Sequence, residues 1–196
     1  MRVLLNIRLF SLVRFTQRIV IFTFIFLTLG FALPQQRIES AEYHVKAVFL
    51  FNFAQFVEWP ATAFPEAKSP IVIGVLGEDP FGSYLDETVR GEEIEGHPLV
   101  IQRFDNVGDI KNCHILFIHP SIVPRLDYVL KDLKGKNILT VSDGNNFTKQ
   151  GGMVRLFTEN NKIKLRVNLD AVKAEDLIIS SKLLRLAEIV SSNKNQ

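Results

Sequence analysis

A serine, a histidine and an aspartate gathered in one crevice could activate a nucleophile, and this chain offers candidates for all three roles. In an open α/β sheet ligands favour the crevice at the carboxyl ends of the strands. There the sequence places Glu78, Asp79, His119, Ser121, Ser142 and Asp143. No serine stands in the G-x-S-x-G context that exposes a nucleophile at a strand-to-helix elbow. Asp79 before Pro80 and Ser121 after Pro120 read as helix caps, and Ser142-Asp143-Gly144 reads as ordinary turn chemistry. Gly74-Val75-Leu76-Gly77 followed by Gly82 matches neither the dinucleotide fingerprint nor the P-loop with its lysine. His114 and His119 are five apart on a strand and point to opposite faces, while His44 and His97 stand alone. The expectation is a protein with no catalytic residues, no metal ligands and no cofactor.

Those strand ends must be carried by regular elements, and the chain supplies them in alternation. Pro70–Gly77 is a continuous apolar run, as expected of a strand covered on both faces. A helix from Asp79-Pro80 carries Phe81, Leu85 and Val89 on one stripe and stops at Gly91. Pro98–Phe104, Cys113–Ile118 and Ile138–Val141 read as further strands. Between the last two lies a helix capped by Ser121, with Ile122, Leu126, Val129, Leu130 and Leu133 at helical spacing and Gly135 past its end. Strands and helices alternating over short links predict a parallel sheet with helices on both faces. The pattern then changes. Met153–Thr158 and Ile163–Leu169 flank Asn160-Asn161, which predicts a β-hairpin at the sheet edge. Leu183, Leu186, Ala187 and Val190 fall at i, i+3, i+4 and i+7, which predicts a final helix. The fold class is therefore α/β, a mainly parallel sheet flanked by helices, with a C-terminal hairpin and a last helix.

The front of the chain is different. Arg2, Arg8, Arg14 and Arg18 precede the apolar run Ile19–Leu33, and Gly30 and Ala32 stand where a signal peptidase expects small residues. That run is shorter than the roughly twenty residues of a spanning helix. Residues 1–32 are read as a cleaved signal peptide, 33–41 as a linker, 42–190 as one domain and 191–196 as a polar tail. An uncleaved anchor is the alternative, since Pro34 and Gln35 make a poor cleavage flank. The full chain carries a formal charge of +2, and residues 1–32 hold four arginines and no acid, so the remainder carries −2. Mild acidity, with no basic patch interleaved with aromatics, argues against a nucleic-acid partner. The single cysteine, Cys113, excludes an intrachain disulfide, and its apolar neighbours suggest a buried thiol.

The densest aromatic stretch runs from Glu42 to Pro60. Up to Phe56 it has neither glycine nor proline, so it can run as a helix, and Pro60 then pushes Trp59 toward an extended conformation. Val45, Val48, Phe49, Phe53 and Phe56 cover one broad side, and Ala47, Leu50, Phe51 and Ala54 much of the other. A helix apolar all round is buried in its own fold or pressed against a second chain. Aromatics concentrate at interfaces, so Tyr43, Phe49, Phe51, Phe53, Phe56 and Trp59 are the candidates for a partner or dimer interface.

These blocks resemble the YfiR-like family of exported bacterial proteins. The resemblance rests on Glu42-Tyr43, Val45-Lys46-Ala47, Phe49-Leu50, Asn52-Phe53 and Phe56-Val57-Glu58-Trp59-Pro60 near the front. It continues through Ile73–Gly77 with Pro80-Phe81-Gly82, Cys113–Ile118, Thr140–Asp143, Phe147, Gly151-Gly152-Met153, Asn168-Leu169 and Ser180–Ala187. It implies a periplasmic, non-enzymatic α/β regulator, often a homodimer. It also implies repression of an inner-membrane signalling protein, a diguanylate cyclase or sensor kinase, through its periplasmic portion, with an outer-membrane lipoprotein relieving the repression. Some relatives hold a disulfide that this chain cannot form internally. The alternative from the residues alone is a periplasmic sensor that binds a small ligand in the crevice near Gly77–Phe81 and Asp143.

Overall fold

The structure, a computed structural model, describes residues 33–191; the expected signal peptide and residues 192–196 lie outside the described residues. The chain divides into two compact units, Met1–Ala41 and Glu42–Gln196, and the second is the α/β domain. Helix α1 spans Leu33–Phe56, so residues 33–41, expected as a linker, are helical. Among the described residues no helix is long and apolar enough to cross a membrane.

Six residues buried in succession make β2 (Ile71–Leu76) the centre of the sheet. After β1 (Val57–Glu58) and β2 come helix α2 (Ser83–Val89), a two-residue strand β3 (Glu93–Ile94) that the sequence did not suggest, and β4 (His97–Phe104). Strand β5 (Ile115–Ile118), helix α3 (Leu126–Leu133) and β6 (Leu139–Ser142) complete the alternating part. The remainder is β7 (Val154–Glu159), β8 (Lys162–Asn168), α4 (Leu169–Lys173), β9 (Ile178–Ile179), α5 (Ser181–Leu184) and β10 (Ala187–Val190). The main sheet has the order β10-β8-β7-β6-β5-β2-β4-β3. Strands β4, β2, β5, β6 and β7 are mutually parallel, and β8 returns antiparallel to β7. Apolar side chains of the sheet alternate between two layers. One layer packs Ile73, Phe117, Val141 and Leu165 under α1 and α2, and the other packs Leu76, Leu116 and Ile118 under α3.

Local chemistry explains most boundaries and three departures from the sequence reading. Asn160 and Asn161 take positive φ of 51° and 58°, which gives the hairpin its two-residue turn. Asp79 accepts the N–H of Phe81 at 2.8 Å, an Asx turn, and α2 starts only at Ser83. Residues Pro120–Arg125 form a 3-10 segment rather than the start of a helix capped by Ser121, because Pro124 can neither donate nor fit an α-helical interior. The final helix is the largest departure. It stops at Leu184, and Ala187–Val190 instead pairs parallel with β8. Strand β8 would otherwise leave a row of backbone donors and acceptors unpaired, and β10 satisfies them. The hairpin is therefore one strand in from the edge, and Leu186 turns outward at 71% exposure.

Candidate functional site

From Tyr43 onward, helix α1 runs across the sheet from its carboxyl edge to its amino edge. Tyr43, near the start, meets Asp143 just after β6, and Trp59, just past the end, donates its indole N–H to the His114 carbonyl just before β5 at 3.3 Å. The termination is local: Val57 and Glu58 pair antiparallel with Ile179 and Ile178, and the Ser180 N–H donates to the Phe56 carbonyl at 2.8 Å.

At the carboxyl edge sits a buried polar centre. Lys46 is 2% exposed, yet it stands on a helix whose other inward residues are apolar. Its ammonium donates to Asp143 Oδ2 at 2.5 Å and pairs with Glu42 at 2.7 Å, one turn earlier. The Tyr43 hydroxyl donates to the same Asp143 oxygen at 2.9 Å, and Lys46 Nζ lies 4.2 Å from the Tyr43 ring centroid. Asp143 Oδ1 is buried with no hydrogen-bond partner. The Tyr43 ring then meets Phe81 edge-on at 5.5 Å, and Phe81 meets Phe117 at 4.8 Å. In the crevice near Gly77–Phe81 and Asp143, where the sensor alternative places a ligand, the Phe81 and Asp143 side is thus filled by Tyr43 and Lys46 of α1.

The serines, histidine and aspartate at this edge have separate partners. The Ser142 hydroxyl donates to the Ile118 carbonyl at 2.6 Å, His119 meets Ser121 at 2.9 Å, and Asp143 is engaged by Lys46 and Tyr43. Among the described residues no carboxylate joins the His119–Ser121 pair to complete a relay. The Cys113 thiol is buried and its pKa is pushed up to about 12 by that burial, so it stays protonated and unreactive. Arg103 on β4 donates to Asp79 at 2.7 Å and to Asp86 at 2.6 Å, and its hydrogen bond holds the Asp86 carboxyl below the usual range. That arrangement ties α2 to β4.

The six interface candidates do not form one patch. Tyr43 belongs to the polar centre and Trp59 to the opposite edge. Phe53 is fully buried, which leaves it no surface to offer a second chain, while Phe49, Phe51 and Phe56 are half-buried against the core. The outward residues of α1 in its first half are Val45 at 46% and Val48 at 40% exposure, and Asn52 and Gln55 continue that line further on. The sequence reading placed Val45 and Val48 on an apolar side without singling them out, and it missed Lys46. One signal was available for the lysine: it is the only lysine, arginine or acid between Tyr43 and Phe56.

Trp59 leads to a second buried cluster at the amino edge. Phe64 stacks between His97 and His114, with ring centroids at 4.3 and 4.6 Å. His114 Nδ1 accepts the Val72 N–H at 3.1 Å, so its proton sits on Nε2. Burial lowers the His114 pKa to about 4 from an ordinary 6.5; the Ala63 carbonyl acts in the opposite sense, and His97 adds to the lowering. A folded-state pKa below the unfolded one means that the unfolded chain takes up the proton first. The contribution of His114 is therefore complete above pH 6.5 and is lost as the pH falls through about 4. We expect this to remove about 3 kcal/mol of stability across that window. Urea midpoints along the window should show it, and His114→Asn, whose side-chain oxygen can still accept from Val72, should flatten the slope. An unchanged slope in that variant would assign acid sensitivity to other groups.

No curated protein matches the chain. The sequence model of one family covers residues 43–188, the stretch that contains α1 from Tyr43, the whole sheet core and both buried clusters. The chain belongs to the YfiR/HmsC-like family.

Proposed function

We propose that the protein is a non-enzymatic periplasmic regulator that holds an inner-membrane diguanylate cyclase inactive by docking on its periplasmic portion through the outer face of α1. The family supports the regulatory role and the compartment. The observation that carries the docking surface is the outward pair Val45 and Val48, apolar and exposed on a helix whose inner face is anchored by buried Lys46. Anchoring fixes the orientation of that stripe, so a partner would meet it preformed and lose little entropy in ordering it. Removal of residues 1–32 as a signal peptide, self-association as a homodimer and relief by an outer-membrane lipoprotein belong to the same reading. A sensor kinase is the other membrane partner this surface could serve.

The test is the pair Val45→Glu and Val48→Glu in one chain. Both side chains already face solvent, so melting should shift by no more than the half kcal/mol or so typical of surface changes. Repression should fail, read as a rise in cellular cyclic di-GMP together with loss of crosslinking to the cyclase. A folded double variant that still represses would remove α1 as the docking element.

A further inference from the structure

Among the described residues, one face of the sheet is covered by a helix only in part. Helix α3 packs on the part of its layer that contains Leu76, Leu116 and Ile118. Beyond it, the outward side chains of β7, β8 and β10 reach solvent. Strand β7 presents Arg155, Phe157 and Glu159, paired in register with Arg166, Lys164 and Lys162 of β8, and Glu188 of β10 stands beside Arg166. Four cations and two carboxylates occupy this face, in a chain whose residues 33–196 carry a net charge of −2. Lys164 pairs with Glu159, and Arg166 with Glu188 at 2.6 Å. Among the described residues, Arg155 and Lys162 have no acidic partner within ion-pairing distance.

Three observations single out Arg155. It lies directly opposite Arg166 across the antiparallel pair, a like-charge arrangement that costs stability. Its Nε is buried and has no hydrogen-bond partner, although its terminal nitrogen donates to Asn145 at 2.6 Å. Burial first, and then Arg166, disfavour its charged form, while Asp143 and Glu188 oppose them. Both guanidiniums lie over the half-exposed ring of Phe157, Arg155 at 5.2 Å and Arg166 at 4.9 Å. A planar carboxylate satisfies guanidinium forks, and an aromatic beside them gives apolar surface for the chain that carries it.

We infer that this open hairpin face docks an acidic segment of a protein partner, with carboxylates taken by Arg155, Arg166 and Lys162 around Phe157. An extended acidic peptide fits better than a lipid surface. The face is a flat sheet, its side chains repeat at the spacing of an extended chain, and its centre is charged, with Arg155, Arg166, Lys164 and Glu188 around the one ring of Phe157. This surface is separate from the outer stripe of α1, so its test does not depend on the cyclase.

The probe is a labelled octapeptide of alternating glutamate and serine, with its lysine counterpart as control, titrated into the exported chain by fluorescence anisotropy. Saturable binding of the acidic peptide is expected, weakening as salt rises from about 50 to about 200 mM. Arg155→Gln with Lys162→Gln should weaken it at least about tenfold, the worth of charge-assisted contacts at a half-exposed site. Lys68→Gln with Lys111→Gln, the same change in net charge at exposed positions off this face, should leave binding unaltered. Phe157→Ser, which keeps every charge, gives the second arm and should also weaken binding. Equal losses in both lysine-bearing double variants, or no saturable binding of the acidic peptide, would overturn the inference. So would binding confined to phosphatidylglycerol vesicles and abolished by the face variant, which would assign the face to a membrane instead.

Discussion

Replacing Lys46 with methionine should destabilise the domain by about 3–5 kcal/mol, because it leaves the Asp143 carboxylate buried without its cation. Methionine keeps much of the volume and the unbranched shape, so the loss is electrostatic and not a cavity. The two halves of the pair are not equivalent. Lys46 retains Glu42 at 2.7 Å if Asp143 is neutralised, whereas among the described residues Asp143 retains only the Tyr43 hydroxyl as a hydrogen-bond donor if Lys46 is removed. Asp143→Asn should therefore cost less than Lys46→Met, and the two changes together should cost less than their sum. Denaturant unfolding of the four proteins measures both statements. A Lys46→Met protein within about 1 kcal/mol of the parent would show that the pair contributes little beyond its own desolvation. The same variant bears on the proposed function, since Lys46 fixes how the Val45 and Val48 stripe is presented. Partial loss of repression without loss of fold would be the intermediate outcome.

The second large effect is expected at Gly152. A Cβ there would lie 2.5 Å from Cζ of Phe147 and closer still to two other carbons of that ring. Phe147 is itself almost wholly buried, and its carbonyl accepts the Gly152 N–H at 3.0 Å, so neither partner can give way easily. Gly152→Val should cost about 3 kcal/mol or more, the upper part of the range for forcing atoms into a packed core. Gly151 next to it is required for a different reason. Its φ is +97°, and the nearest atom to an added Cβ is Leu130 Cδ1 at 3.6 Å, so space is not the obstacle. Gly151→Val should cost about 1–3 kcal/mol through backbone strain alone. Phe147→Leu should rescue part of the Gly152→Ala defect and none of the Gly151→Ala defect. Thermal melts of the five single variants and the two doubles would read this out, and rescue of both glycines alike would refute the distinction.

Patterns that repeat within a few residues were legible in the sequence. Six consecutive apolar residues at Ile71–Leu76, strands alternating with helices over short links and Asn160-Asn161 between two alternating runs each specify an element from local chemistry. They led to an α/β domain with a mainly parallel sheet. The end of α1 before Trp59-Pro60 follows from the same kind of rule, since Pro60 restricts the residue before it. The last segment could not be settled that way. Leu183, Leu186, Ala187 and Val190 satisfy helical spacing, but four residues of helix followed by a strand also satisfy it, and only the unpaired edge of β8 decides between them.

The candidate site was decided almost entirely by tertiary structure. Lys46 and Asp143 are 97 residues apart, and a lone lysine on an apolar helix reads as a solvated exception until the turn after β6 is placed against it. The aromatic density of Tyr43–Trp59 was plain in the sequence, but which residues face out was not, because a helix apolar on nearly every side has no preferred face of its own. The sheet supplies that preference. It buries Phe53, takes Tyr43 and Lys46 into the carboxyl edge and Trp59 into the amino edge, and leaves Val45 and Val48 turned outward. Composition thus determined that this chain would fold around an aromatic helix on a parallel sheet. The position of one buried charge decided how that helix is oriented and what it presents.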